Sequence, residues 1–83
     1  MEIHIQFKIQ GDGFPSPQEL DLRHELEDWI EDNGVGVVVD AGAGGGVMDI
    51  FIEPSDTESL SIVEQVIAER GLSPIVTVRM VGG

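Results

Sequence analysis

The chain has 83 residues, no cysteine and a formal net charge of −12, from 16 Asp and Glu against 4 Lys and Arg. This length predicts a single domain, residues 1–83, and the missing cysteines exclude disulfides, thiolate metal sites and a cysteine nucleophile. The acidity argues against binding to nucleic acids and anionic membranes, because phosphate groups are bound by clustered Lys and Arg.

The N-terminal segment MEIHIQFKIQ predicts a β-strand, because apolar residues at 3, 5, 7 and 9 alternate with polar ones. It has neither the basic start nor the continuous apolar run of a secretory signal. No apolar run in the chain reaches the roughly 18 residues of a membrane span. We therefore expect a cytoplasmic protein.

A helix from Pro17 to about Asn33 is predicted by its boundary residues. Ser16 serves as N-cap and Glu19 completes a capping box, while Gly34 supplies a left-handed cap at the other end. The expected core stripe consists of Leu22, Leu26, Trp29 and Ile30, with Leu20 less well placed.

Two strands, 35–40 and 47–53, predict a hairpin with a glycine-rich tip at 41–46. The tip does not fit a dinucleotide fingerprint, since Gly42 and Gly44 are followed by Val47 where the third glycine belongs. It does not fit a P-loop either, because no Lys follows the last glycine. We interpret it as a mobile tip whose bare backbone, at Gly42, Gly44 and Gly45, contacts a partner.

The segment SDTE, Ser55 to Glu58, predicts a second capping box, and the helix after it should end at Gly71. The expected helical stripe consists of Leu60, Val63, Val66 and Ile67. SPIVTVRMV then alternates as a last strand.

The resulting order βαββαβ, with two helices of about 17 residues, resembles the ferredoxin-like α/β plait across the whole chain. This resemblance implies an α+β two-layer sandwich with an antiparallel sheet in the order 4-1-3-2. GAGGGVMDIFIE also resembles small uncharacterised bacterial proteins, some of them immunity-protein-like, that carry a glycine-rich hairpin before an acidic-apolar strand.

The acidic first helix is the candidate binding element for a basic protein, with Glu25, Asp28 and Asp32 as contact residues. Helix stability does not explain acids at its C-terminal end, where the macrodipole is negative. His24 and Asp28 share a helical face, but the sequence nominates no third metal ligand. Without cysteine, tyrosine or a phosphate motif, we expect no enzyme activity, no catalytic residue, no metal and no cofactor.

The sheet face without helices is the second candidate surface. It should present His4, Lys8, Phe51 and Arg79, together with Gln6, Asp49, Ile75, Thr77 and Val38. The alternative function is a regulatory module in which a dimeric plait binds a small anion near His4, Lys8 and Arg79. Burial of Val38, Phe51 and Ile75 would hold such a homodimer together.

The end of the chain supports a more distant alternative. IFIEPSDTE and the terminal Gly82 and Gly83 resemble ubiquitin and the related sulfur carriers, whose Gly-Gly end is activated. That family has a β-grasp fold, with a hairpin before its long helix, whereas here a βα unit precedes the hairpin.

Overall fold

The computed structural model describes residues 1–11 and 14–82; Asp12, Gly13 and Gly83 lie outside the described residues. Its elements are β1 (Glu2–Lys8), α1 (Pro17–Asp32), β2 (Gly36–Gly44), β3 (Val47–Pro54), α2 (Ser59–Glu69) and β4 (Val76–Val81). The predicted α+β class and the ferredoxin-like order βαββαβ are confirmed. Neither helix of the described ranges is long and apolar enough to cross a membrane.

The four strands form one antiparallel sheet in the order β2-β3-β1-β4. Counted from the opposite edge, the same sheet reads 4-1-3-2. β1 and β3 are therefore the central strands, and β2 and β4 are the two edges.

One face of the sheet packs against both helices and forms the core. The central strands contribute the opposed apolar pairs Ile3–Ile52, Ile5–Ile50 and Phe7–Met48, all buried. The helices add Leu26, Ile30, Val63, Val66 and Ile67. We call the opposite side of the sheet, which carries the alternate residues, the open face.

Helix α1 begins with the predicted capping box. The Glu19 N–H donates to Ser16 Oγ at 3.2 Å, and the Ser16 N–H donates to Glu19 Oε1 at 2.9 Å. The Gln10 N–H donates to Glu19 Oε2 at 2.9 Å, which ties the end of β1 to the helix. These N–H groups, Gln10 first, lower the pKa of the Glu19 carboxyl. At the other end Gly34 has a φ of +67°, as predicted for a left-handed cap.

Trp29 is half-buried and is not the core residue that the stripe predicted. Leu26 and Ile30 are fully buried, whereas Leu20, Leu22 and Trp29 only flank the core. Trp29 precedes Ile30 by one residue, which turns its side chain about 100° around the helix axis. It therefore packs at the margin of the contact between helix and sheet.

Helix α2 spans 11 residues and starts later than predicted. Its N-cap, Glu58, makes no side-chain cap bond, so the expected SDTE capping box is wrong. Asp56 Oδ1 instead accepts the Glu58 N–H at 2.8 Å, and the buried Ser59 Oγ donates to the Val35 carbonyl at 2.6 Å. These two bonds hold a turn in place up to Ser59. The helix ends near Gly71 as predicted, with φ at +72°.

The hairpin strands are longer than predicted, and the long glycine tip is wrong in its extent. Residues 41–44 belong to β2 and pair with β3 as far as Gly44 opposite Val47. The connection is the two-residue turn Gly45–Gly46, with φ values of +61° and +86°. Positive φ at both central residues is what a type I′ hairpin turn requires, and glycine adopts it without strain.

Candidate functional site

A line of four carboxylates runs along the solvent side of α1: Asp21, Glu25, Asp28 and Asp32, here called the acidic stripe. Their spacing of four, three and four residues places them on one side of the helix, over about 16 Å. All four residues are exposed. Within the ranges that the structure describes, none of these carboxylates has a hydrogen bond or an ion pair.

The acids of α1 that lie toward β2 do have partners. Glu27 Oε1 lies 3.9 Å from Arg23 Nε, and Glu31 Oε2 accepts the Val38 backbone N–H at 3.0 Å. The acidic stripe is therefore the part of the α1 charge that has neither a hydrogen bond nor an ion pair in the described ranges.

The hairpin lies beside this helix. Arg23 Nη1 donates to the Gly42 carbonyl at 3.2 Å, which brings β2 within one side-chain length of α1. Gly42, Gly44 and Gly45 are exposed, and apart from their chain neighbours no residue has an atom within 4 Å of the position that a Cβ would take at any of them. We call the acidic stripe with these three glycines the helix–hairpin surface. The glycines present paired strand and a tight turn there, not a long mobile loop.

The open face carries most of the residues expected on it. The register sets His4 between Phe51 on β3 and Arg79 on β4, and Gln6 between Asp49 and Thr77.

Val38, in contrast, lies opposite Ile52 on the core side, so its expected place on the open face is wrong. A β-bulge between Val38 and Asp40 is the cause, because the extra residue turns the strand over at that point. Ile75 precedes β4 and packs against the core. Of the three apolar side chains expected to hold a face-to-face dimer, only Phe51 remains on this face without core contacts.

His4 is the centre of a side-chain network on the open face. The residue is 6% exposed, and its ring stacks on Phe51 with centroids 4.5 Å apart and planes 5° apart. Arg79 Nε donates to His4 Nδ1 at 3.3 Å, and His4 Nε2 lies 2.6 Å from Asp49 Oδ1. Since Nε of arginine only donates, Nδ1 accepts and the ring proton at Nε2 points to Asp49.

This network occupies two of the three groups that were expected to bind an anion. Both ring nitrogens of His4 have partners, and Arg79 uses its Nε. Lys8 is four residues further along β1, or about 13 Å away. The structure therefore does not bring His4, Lys8 and Arg79 together as one cationic cluster.

Lys8 instead lines a cleft of about 360 Å³ at the other end of the open face. Thr77 shares the polar side of this cleft, and Val47, Pro74 and Ile75 supply its apolar walls. Across residues 1–11 and 14–82, no carboxylate lies within ion-pair distance of Lys8. The cleft thus combines one free ammonium group with an apolar surface.

Sequence reasoning did not identify Asp49 as the partner of His4. The alternation of residues along the predicted strand 47–53 placed Asp49 on the open face. Nothing in the sequence showed that it lies beside His4, 45 residues away. Gln6 Nε2 also donates to Asp49 Oδ1 at 3.2 Å. The only available signal was an acid among basic and aromatic residues on adjacent strands.

His24 is exposed, and its Nε2 lies 3.4 Å from Arg23 Nη2. The described part of the chain contains no group of three His, Cys, Asp or Glu side chains that could hold a metal ion. No protein-family model, curated protein or solved structure gives a significant match to this chain.

Proposed function

We propose that this chain is a non-enzymatic interaction protein that binds a basic protein through the helix–hairpin surface, as an immunity protein or antitoxin does. The observation that supports this proposal is the acidic stripe, four exposed carboxylates in one line without counterions. A partner with Lys or Arg at matching spacing would supply the missing charges.

The position of the stripe on the helix strengthens this argument. The last turn of α1 has no basic residue, although that end of a helix favours cations. Each acid there costs the free protein about 0.3 to 1 kcal/mol. A cationic partner removes this cost, so that part of the stability lost in the free protein is regained on binding.

The net charge of the whole chain also favours a basic partner, and it acts over longer distances than the acidic stripe. A net charge of −12 on 83 residues attracts a basic protein before contact and raises the rate of association. Salt screens this attraction, so binding should weaken as the ionic strength rises.

The test uses a defined probe, a short peptide that alternates lysine and serine, titrated into the labelled protein and followed by amide chemical shifts. The largest shifts should fall in residues 21–32 and 42–45. The triple variant Glu25→Gln/Asp28→Asn/Asp32→Asn should bind about threefold to about 150-fold more weakly, because each exposed ion pair contributes about 0.2 to 1 kcal/mol.

The matched control is Glu53→Gln/Glu58→Gln/Glu64→Gln, which removes three exposed carboxylates elsewhere and gives the same net charge, −12 + 3 = −9. It should bind the peptide more tightly than the stripe variant does. Equal weakening by the two triple variants would refute a specific role for the stripe.

The second candidate function is binding of a small organic anion in the Lys8 cleft, supported by the free ammonium group above apolar walls. Benzoate is a suitable probe, since it has one carboxylate and one apolar ring. Lys8→Gln should abolish benzoate-induced shifts at residues 8, 47 and 75–77. Arg79→Gln removes one positive charge from the same face and should leave them in place; the opposite pattern would reject this site.

The carrier alternative receives no support from the described residues. It depends on Gly82 and Gly83, and Gly83 lies outside them. The hairpin of β2 and β3 follows α1, whereas a β-grasp places its hairpin before the long helix.

A further inference from the structure

The two edges of the sheet differ in how their backbone is covered. On β2, Glu31 Oε2 accepts the Val38 N–H and Asp40 Oδ1 accepts the Ala41 N–H, at 3.0 and 2.9 Å. A bulge interrupts the same edge between Val38 and Asp40. Side-chain cover and bulges are the devices that prevent a sheet edge from pairing with another chain.

The β4 edge lacks these devices. Its register with β1 runs without a shift, and no side chain of the described residues bonds to its backbone. Its sequence, VTVRMV, has no proline, no lysine and no carboxylate. Met80 is 37% exposed on this edge.

One hydrogen bond identifies which backbone groups of β4 point outward from the sheet. The Lys8 N–H donates to the Ile75 carbonyl at 2.7 Å, and opposed residues of an antiparallel pair alternate between bonded and non-bonded positions. The backbone N–H and C=O groups that bond to β1 are therefore those of Thr77, Arg79 and Val81. The backbone groups that point away from β1 are those of Val76, Val78 and Met80. The Val76 N–H confirms this direction, because it turns outward to the Leu72 carbonyl at 2.9 Å.

We propose that the β4 edge is an interaction surface for a second copy of this chain, whose own β4 pairs with it antiparallel about a two-fold axis at Val78. Val78 then faces its counterpart through two hydrogen bonds. Each Met80 N–H donates to the Val76 carbonyl of the other copy. The pairing joins the two sheets into one continuous sheet of eight strands.

The side chains of β4 fit this symmetric register. On the helix side, Met80 of each copy meets Val76 of the other, so apolar groups meet apolar groups. On the open face, Thr77 meets Arg79, and the two Arg79 side chains are not directly opposed. This chemical self-match favours a second copy over an unrelated extended segment.

The charge distribution permits this contact despite the acidity of each copy. Arg79 is the only charged residue of β4. Helix α1 lies over β2 and β3, whereas α2 lies next to β4. The β2 edge is three strand spacings, or about 14 Å, from β4, which exceeds the Debye length of about 8 Å at physiological salt. The acidic stripes therefore repel each other weakly across this interface.

Sedimentation velocity at concentrations up to about 1 mM, at about 0.15 M and about 1 M salt, tests the proposal. We expect a monomer–dimer equilibrium that strengthens with salt. Met80→Lys should weaken dimerisation by about tenfold or more, because it places a cation opposite Val76 in an apolar row.

The matched control is Val37→Lys, which puts the same charge on an exposed apolar residue, 58% exposed, of the opposite edge strand. It should leave the dimer intact. Amide exchange supplies an independent readout: protection of the Val78 and Met80 N–H groups should rise with protein concentration. A monomer under all these conditions, or a dimer unaffected by Met80→Lys, would overturn the proposal.

Discussion

His4 occupies an alternate strand position that is typical of solvent exposure, yet its side chain is only 7% exposed. Cross-strand neighbours explain this burial. Phe51 covers one face of the ring, and Asp49 and Arg79 satisfy its two nitrogens. A polar group loses water at little cost when its hydrogen bonds are replaced in this way.

We predict that His4→Phe destabilises the protein by about 1 to 3 kcal/mol, measured by urea unfolding. Phenylalanine retains an aromatic ring on Phe51 but cannot donate to Asp49 or accept from Arg79. The expected decrease in stability equals the contribution that hydrogen bonds to charged or partly buried groups make to the free energy of unfolding.

A double-mutant cycle with Asp49→Ala isolates the pair. The change in the free energy of unfolding in the double variant should differ from the sum of the two single-variant changes by about 0.5 to 3 kcal/mol, as is typical for residues in direct contact. Strict additivity would show that the 2.6 Å contact between His4 and Asp49 contributes nothing to stability.

At the scale of elements, side-chain periodicity predicts β1, α1 and β4 well. The positions of all three elements follow from their apolar spacing, although Trp29 of α1 and Met80 of β4 are not buried as that spacing suggests. The alternation of Ile3, Ile5 and Phe7 needs no tertiary information. The acidic stripe was predictable for the same reason, because helical spacing alone sets its carboxylates side by side.

The hairpin was less predictable because glycine and alanine carry no pattern of facing side chains. Residues 41–44 are strand only because β3 offers a partner for each of them. The bulge at Val38 is likewise invisible in a run of three valines, although it decides which of them faces the core.

The start of α2 depends on contacts distant in sequence. Ser55, Asp56 and Glu58 match a local capping signal, but the Ser59 hydroxyl bonds to the Val35 carbonyl, 24 residues away. The His4 network joins residues 45 and 75 positions apart in the same way. Periodicity reports which face a residue occupies, but the contacts across that face depend on strand register.

At the scale of the whole molecule, the fold neutralises little of its own charge. Two of the four Lys and Arg residues have internal partners. Arg23 donates to the Gly42 carbonyl and lies within 3.9 Å of Glu27, and Arg79 donates to His4. Only one carboxylate thus lies within ion-pair distance of a Lys or Arg in the described ranges, and that pair, at 3.9 Å, is long. The free protein carries repulsion that a basic partner would relieve.

The carboxylates near the C-terminal end of α1 should lower the stability of the free protein. Asp28→Asn/Asp32→Asn removes two carboxylates near the negative end of the α1 macrodipole and should raise the free energy of unfolding by about 0.3 to 1 kcal/mol per site. The control, Glu53→Gln/Glu64→Gln, gives the same net charge, −12 + 2 = −10, with both substitutions outside α1.

Urea unfolding at about 0.01 M and about 1 M salt separates the two effects, because the Debye length falls from about 30 Å to about 3 Å. At low salt both variants should gain stability from reduced repulsion, and the α1 variant should gain more. At high salt the difference should shrink toward zero. If the α1 variant is less stable than the original protein at low salt, Asp28 and Asp32 stabilise the fold itself. Their position would then give no support to the proposed binding of a basic partner.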